Sequence, residues 1–166
     1  MKWTEGEVHR AMRHHLKASG WSLIAGEYPG GSDHELYPLN IVDPAVARDR
    51  SPDPRRHSKG ELIPDLVALR SGMLIVVEAK PVFSEPDRQK LETMLVTHFG
   101  RFSAAFERFC DLRRLNDVPP ITTLAVLPVL AFPATCAAPR VLPPLSYLRV
   151  ADRRSAHFEG YIEDLL

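Results

Sequence analysis

Apolar residues first recur at helical spacing. Val8, Met12 and Leu16 share one face of a helix predicted from about Thr4 to Ser19. Thr4-Glu5-Gly6-Glu7 has the form of a capping box, and Ser19-Gly20 ends the run. From Trp21 to Tyr28 the pattern turns to alternation, with Trp21, Leu23 and Ala25 on one face of a strand that Pro29-Gly30-Gly31 closes. Residues 30–60 carry little periodicity. Leu36 to Val42 reads as a short strand or an extended piece. The stretch of about 43–60 is a long basic loop rich in Pro, Asp and Arg, of a length usually tied to function or disorder. Leu62–Arg70 and Met73–Ala79 are two strands joined by Ser71-Gly72, a tight-turn signal. Ser84-Glu85-Pro86-Asp87 opens a helix running to roughly Leu115. Its apolar stripe is Leu91, Leu95, His98, Phe102, Phe106, Phe109 and Leu112, weakened but unbroken at Gly100. Ile121 to Leu127, between Pro119-Pro120 and Pro128, predicts a buried strand. Residues 133–146 are Pro- and Ala-rich and irregular. Tyr147–Ala151 reads as a last strand and His157–Leu166 as a short terminal helix. The order implies one α/β domain over residues 1–166 with a mixed sheet flanked by helices.

Composition narrows the class. Lys+Arg and Asp+Glu both number 21 in a chain of 166 residues, so nucleic-acid binding by bulk charge is excluded and a local patch would be needed. Cys110 and Cys136 sit in no metal-ligand spacing and make no disulfide framework, which suits a reducing cytoplasm. The N-terminus lacks an apolar signal region, and no apolar run approaches the roughly 18 residues of a membrane span. The expected location is therefore cytoplasmic, with no membrane partner.

The hairpin carries the chemistry. If Ser71-Gly72 is a two-residue turn, Arg70 pairs with Met73 and Asp65 lies opposite Glu78, with Cβ atoms about 5 Å apart. Glu78 and Lys80, two apart, share the face of Asp65. Leu66, Val67, Leu69, Leu74, Ile75, Val76 and Val77 make both faces of the hairpin apolar, as in strands covered on both sides. Two carboxylates at one end of such a hairpin repel unless a cation sits between them. An ion pair of Glu78 or Asp65 with Lys80 answers part of that need. A divalent ion answers it more fully, and oxygen ligands select Mg²⁺ or Mn²⁺ over Zn²⁺. A slip of one residue would move Asp65 to the other face.

Pro64-Asp65, twelve intervening residues, then Glu78-Ala79-Lys80 resembles the signature of the PD-(D/E)XK nuclease superfamily, and the resemblance covers roughly residues 3 to 127. It implies a restriction endonuclease-like αβββαβ core. It also implies Mg²⁺, for which Mn²⁺ substitutes, held by Asp65, Glu78 and the main-chain carbonyl of Ala79. Lys80 would position or activate the attacking water. The implied activity is hydrolysis of DNA phosphodiester bonds by a one- or two-metal mechanism, leaving a 5′ phosphate and a 3′ hydroxyl. Many members add an acid from the first helix. Glu5 lies on the face of Val8 and Met12 and is assigned to the site, whereas Glu7 suits the capping box. On the second helix, Asp87 faces the sheet, and Gln89 and Lys90 at its edge are candidates for touching substrate.

Arg55, Arg56 and Lys59, with Arg48, Arg50 and His57, form a basic cluster in the loop that enters the Asp65 strand, suited to a DNA backbone. His14-His15 lacks the spacing of a zinc protease, His98 reads as a core histidine, and Trp3 and Trp21 read as core residues. DNA is the expected partner. The enzyme would act alone, as a homodimer or with partner proteins of a defence, repair or mobile-element system. The alternatives are an RNA nuclease of the same fold and a catalytically silent nuclease-fold module that binds DNA or a protein partner.

Overall fold

The computed structural model describes residues 2–26 and 64–166. The 36–42 segment, the 43–60 loop and the outer ends of the strands expected at 21–28 and 62–70 lie outside the described residues.

Helix α1 (Glu5–Ala18) begins at Thr4, whose side chain accepts from the Glu7 amide while the Glu7 carboxylate accepts from the Thr4 amide at 2.9 Å. The capping box expected from Thr4-Glu5-Gly6-Glu7 is therefore formed. Thr4→Ala should cost about 1 kcal/mol, read as a fall of a few degrees in Tm. No change in Tm would mean that the first turn is held by its packing alone.

Strand β1 (Ser22–Gly26) pairs antiparallel with β2 (Leu66–Arg70), and β2 with β3 (Met73–Ala79). Ser71 and Gly72 both have positive φ, 48° and 79°, the geometry of a two-residue hairpin turn. Arg70 pairs with Met73 and Leu66 with Val77, so the register is the one the turn predicts. The alternation in β1 differs from expectation. A register shift between Leu23 and Ala25 places Trp21 and Leu23 against α1 but Ala25 in the opposite layer. An inserted residue reverses the facing of everything after it.

The single helix expected to about Leu115 is two helices. Helix α2 (Glu85–Glu92) is capped by the Ser84 side chain, and α3 (Phe99–Arg113) follows after one π-helical turn, Thr93–Thr97. The His98 amide donates to Thr93 O, five residues back. The extra residue in that turn breaks the helical phase two residues before Gly100. His98 is half-buried at the junction. Phe102, Phe106 and Phe109 are buried, but Leu112 is 71 % exposed. At 100° per residue it sits roughly 80° round from Phe102, at the margin of the stripe.

Strands β4 (Ala125–Pro133) and β5 (Ser146–Val150) extend the sheet in parallel, and β6 (Ala156–Gly160) closes it antiparallel. The strand expected over 121–127 thus starts later and runs through Pro128; Ile121–Thr123 is a 3-10 turn. Pro128 is tolerated because pairing with β5 begins at Val129, leaving β4 with one neighbour there. The terminal helix expected at 157–166 is instead β6 and a 3-10 turn at Glu163–Leu165. Phe158 alone of its neighbours is buried, 5.9 Å from the Trp21 ring, which is strand alternation rather than a helical stripe.

The described strands form one six-stranded mixed sheet in the order β1-β2-β3-β4-β5-β6. Helix α1 covers one face with Val8, Met12 and Leu16 on Leu66, Ala68, Ile75 and Val77. Helices α2 and α3 cover the other with Leu91, Phe102, Phe106 and Phe109 on Val67, Leu74 and Val76. Trp3 and Trp21 are core residues. The polar ends of β2 and β3 therefore emerge between two helical layers.

Candidate active site

Asp65 sits at a bend one residue before the paired part of β2. Its amide donates to Val77 O at 3.0 Å, which continues the hairpin register toward Glu78. Its Oδ2 accepts from the Ala79 amide at 2.8 Å. The same oxygen lies 3.5 Å from Nε2 of His9, a residue of α1 that is 2 % exposed. Burial works against the ionised form of Asp65. The His9 contact, the Lys80 ammonium and the Ala79 amide outweigh burial and hold the carboxyl below its ordinary range.

Lys80 follows the last residue of β3, fixed by its amide donating to Ala131 O at 2.9 Å. Its Nζ reaches Glu5 Oε1 of α1 at 3.0 Å. Burial alone would favour the neutral amine. The negative charges of Asp65, Glu5 and Asp87 overcome it and raise the affinity of Lys80 for its proton. Asp87 is itself held by the Ser84 hydroxyl at the start of α2.

Glu78 points the other way. It is fully buried, with Oε1 2.6 Å from Nζ of Lys90 on α2, and neither oxygen has a well-formed hydrogen bond among the described residues. Burial, and then the nearby charge of Asp65, push this carboxyl well above the usual range, against the pull of Lys90 and Lys80. Strand alternation predicts one shared face for Asp65, Glu78 and Lys80. Their partners are instead divided between layers, because Asp65 and Lys80 lie outside the paired pleat and turn to α1, while Glu78 remains within β3.

Glu5 thus reaches Lys80, while Glu7 caps α1. Lys90, expected at the edge of α2 as a substrate contact, is the counter-ion of Glu78. Gln89 donates to Glu85 one helical turn back at 3.2 Å. Ala79 contributes its amide to Asp65. Arg55, Arg56 and Lys59 lie outside the described residues. His14 is exposed, and His15 packs edge-on to Phe158 at 6.5 Å between ring centroids. Cys110 and Cys136 are free thiols.

The residue that sequence reasoning missed is His9. One ligand atom each from Glu5, His9 and Asp65 lies within 4.8 Å of the others, a group able to hold a metal ion. The signal was the spacing: His9 follows Glu5 by four residues and Val8 by one, so it falls on the packed side of α1 just beneath Glu5. No described helix is long and apolar enough to cross a membrane. Compared with family models, curated proteins and solved structures, the chain matches none.

Proposed function

We propose that this chain is a metal-dependent deoxyribonuclease with a restriction endonuclease-like core of the PD-(D/E)XK type. The observation that carries the reading is convergence. Asp65 just before β2, Lys80 just after β3, and Glu5 and His9 from α1 meet at one end of the sheet, with Glu78 of β3 beside them but turned to Lys90 of α2. Ionisable groups gathered and partly buried in this way cost stability, and sites of reaction are where proteins bear that cost. The element order α1-β1-β2-β3-α2 followed by β4 agrees with the core that the sequence motif implies.

The donor set fits a divalent cation. Glu5, His9 and Asp65 would hold it, and buried Glu78, close enough to feel the charge of Asp65, is a further carboxylate outside that group. Carboxylates suit Mg²⁺ and Mn²⁺, and the imidazole among them is a ligand that transition metals such as Zn²⁺ favour over Mg²⁺. Such an ion would neutralise charge at a phosphodiester and make water more acidic. The chain's own groups do the rest. The Ala79 amide orients the Asp65 carboxylate. Lys80, kept protonated by its acidic neighbours, serves as a fixed cation facing developing negative charge. It orients water through its N–H groups and does not accept a proton.

The test is cleavage of linear, circular, single-stranded and branched DNA, with RNA alongside, in Mg²⁺ and in Mn²⁺. The expected result is DNA hydrolysis that EDTA stops, leaving 5′ phosphates. Cleavage of RNA alone would reassign the substrate. Absence of hydrolysis and of cation binding would leave the fold as a binding module.

A further inference from the structure

Lys90 stands where a cation belongs. Glu78 has no exposed surface, and an ionised carboxylate so placed needs an opposite charge beside it. Lys90 provides one, with Nζ 2.6 Å from Oε1, but neither oxygen of Glu78 has a well-formed hydrogen bond among the described residues. A lysine is a compact charge on a flexible stem. The side chain of Lys90 as a whole is 23 % exposed. An ammonium at that distance and a divalent ion cannot share the carboxylate without strong repulsion. Lys90 also comes from α2, a different element from the hairpin and from α1.

We propose that Lys90 is a built-in competitor for the cation at Glu78, holding the second acidic group of the site until a divalent ion displaces the ammonium. Lys90 thereby sets the ion concentration at which the full acidic set assembles. The proposal rests on the metal reading above and extends it to the regulation of that site.

The test measures Mn²⁺ binding to the full chain by calorimetry, without substrate. Lys90→Met keeps the apolar stem and removes the charge. Because contacts to charged groups are the stronger kind, its affinity for Mn²⁺ should tighten about tenfold or more. Lys90→Arg should restore the weaker wild-type value. In a Glu78→Gln background, Lys90→Met should change nothing, since the contested carboxylate is gone. A wild-type measurement covers the case in which Lys90→Met does not fold. Brief acetylation read by mass spectrometry should find Lys90 several-fold more reactive once Mn²⁺ is added, with exposed Lys2 and Lys17 as unchanged references. Mn²⁺ binding that Asp65→Asn abolishes, but that Lys90→Met leaves equal or weakens, overturns the competitor role alone. Unchanged Lys90 reactivity at saturating Mn²⁺ does the same. If the wild-type chain binds no Mn²⁺, the metal reading falls and this proposal falls with it.

Discussion

Asp65→Asn should lower cation-dependent cleavage by at least about 10³-fold while the protein stays folded. The substitution is chosen for what it leaves in place. An asparagine oxygen can still accept from the Ala79 amide, the contact that ties the end of β2 to the end of β3 at 2.8 Å. Only the negative charge and one acceptor oxygen are lost. That charge faces His9, supports the protonation of Lys80 and belongs to the group able to hold a metal. Removing it should therefore abolish cation binding and weaken Lys80 together. Lys80→Met isolates the second effect. A single positioned electrostatic group is commonly worth about 10²–10³ in rate, so this variant should retain cation binding but lose roughly that much turnover. His9→Ala should act through affinity, so that excess Mn²⁺ restores part of the rate. Kinetics on the three variants, beside Mn²⁺ calorimetry and near-UV circular dichroism, separate these roles. Full activity in folded Asp65→Asn would end the nuclease assignment at this site.

What could be read from the sequence follows a physical division. The hairpin was legible because Ser71-Gly72 fits a turn that needs positive φ twice, and the turn then determines every pair from Arg70–Met73 to Leu66–Val77. Glu5 and Glu7 were separable because helical phase puts one over the sheet and leaves the other free for Thr4. Features that depend on one extra residue were not legible. The bulge in β1 and the π turn at Thr93–Thr97 each shift a pattern by one position, and neither contains a residue that demands it. The sequence of β6 reads as helix because five residues are too few for a period to declare itself. His9 was hidden for a different reason. A histidine on the packed side of a helix has the same local pattern whether it is a core residue or faces a carboxylate. Only the bend at Asp65 brings that carboxylate to it. Helical phase puts Lys90 at a helix edge, and its contact with Glu78 is a tertiary fact.

In EDTA at pH 8, Lys90→Met should destabilise the fold by about 3–5 kcal/mol, the usual cost of removing one member of a buried ion pair. Glu78→Gln in the same background should recover most of it. The pH dependence of Glu78→Gln alone gives the sign. The Glu78 carboxyl titrates higher in the folded chain than its ordinary value of 4.5, chiefly because it is buried and then because Asp65 is close. The folded state therefore holds this proton more tightly than the unfolded state. The stability linked to it is fully present below about pH 4.5, the unfolded value, and is lost as pH rises through the folded value. Each unit of displacement is worth about 1.4 kcal/mol. Glu78→Gln cannot lose a proton there, so its stability relative to wild type should rise as the pH is raised from about 4.5 toward 8. Urea unfolding at several pH values measures the difference. Adding Mn²⁺ should then stabilise the wild type more than Glu78→Gln, because the ion supplies the countercharge that burial denies the carboxylate. A flat difference across that range would mean that Lys90 already satisfies Glu78 in the ionised state, and that the charge at the end of β3 carries no stored cost for an ion to relieve.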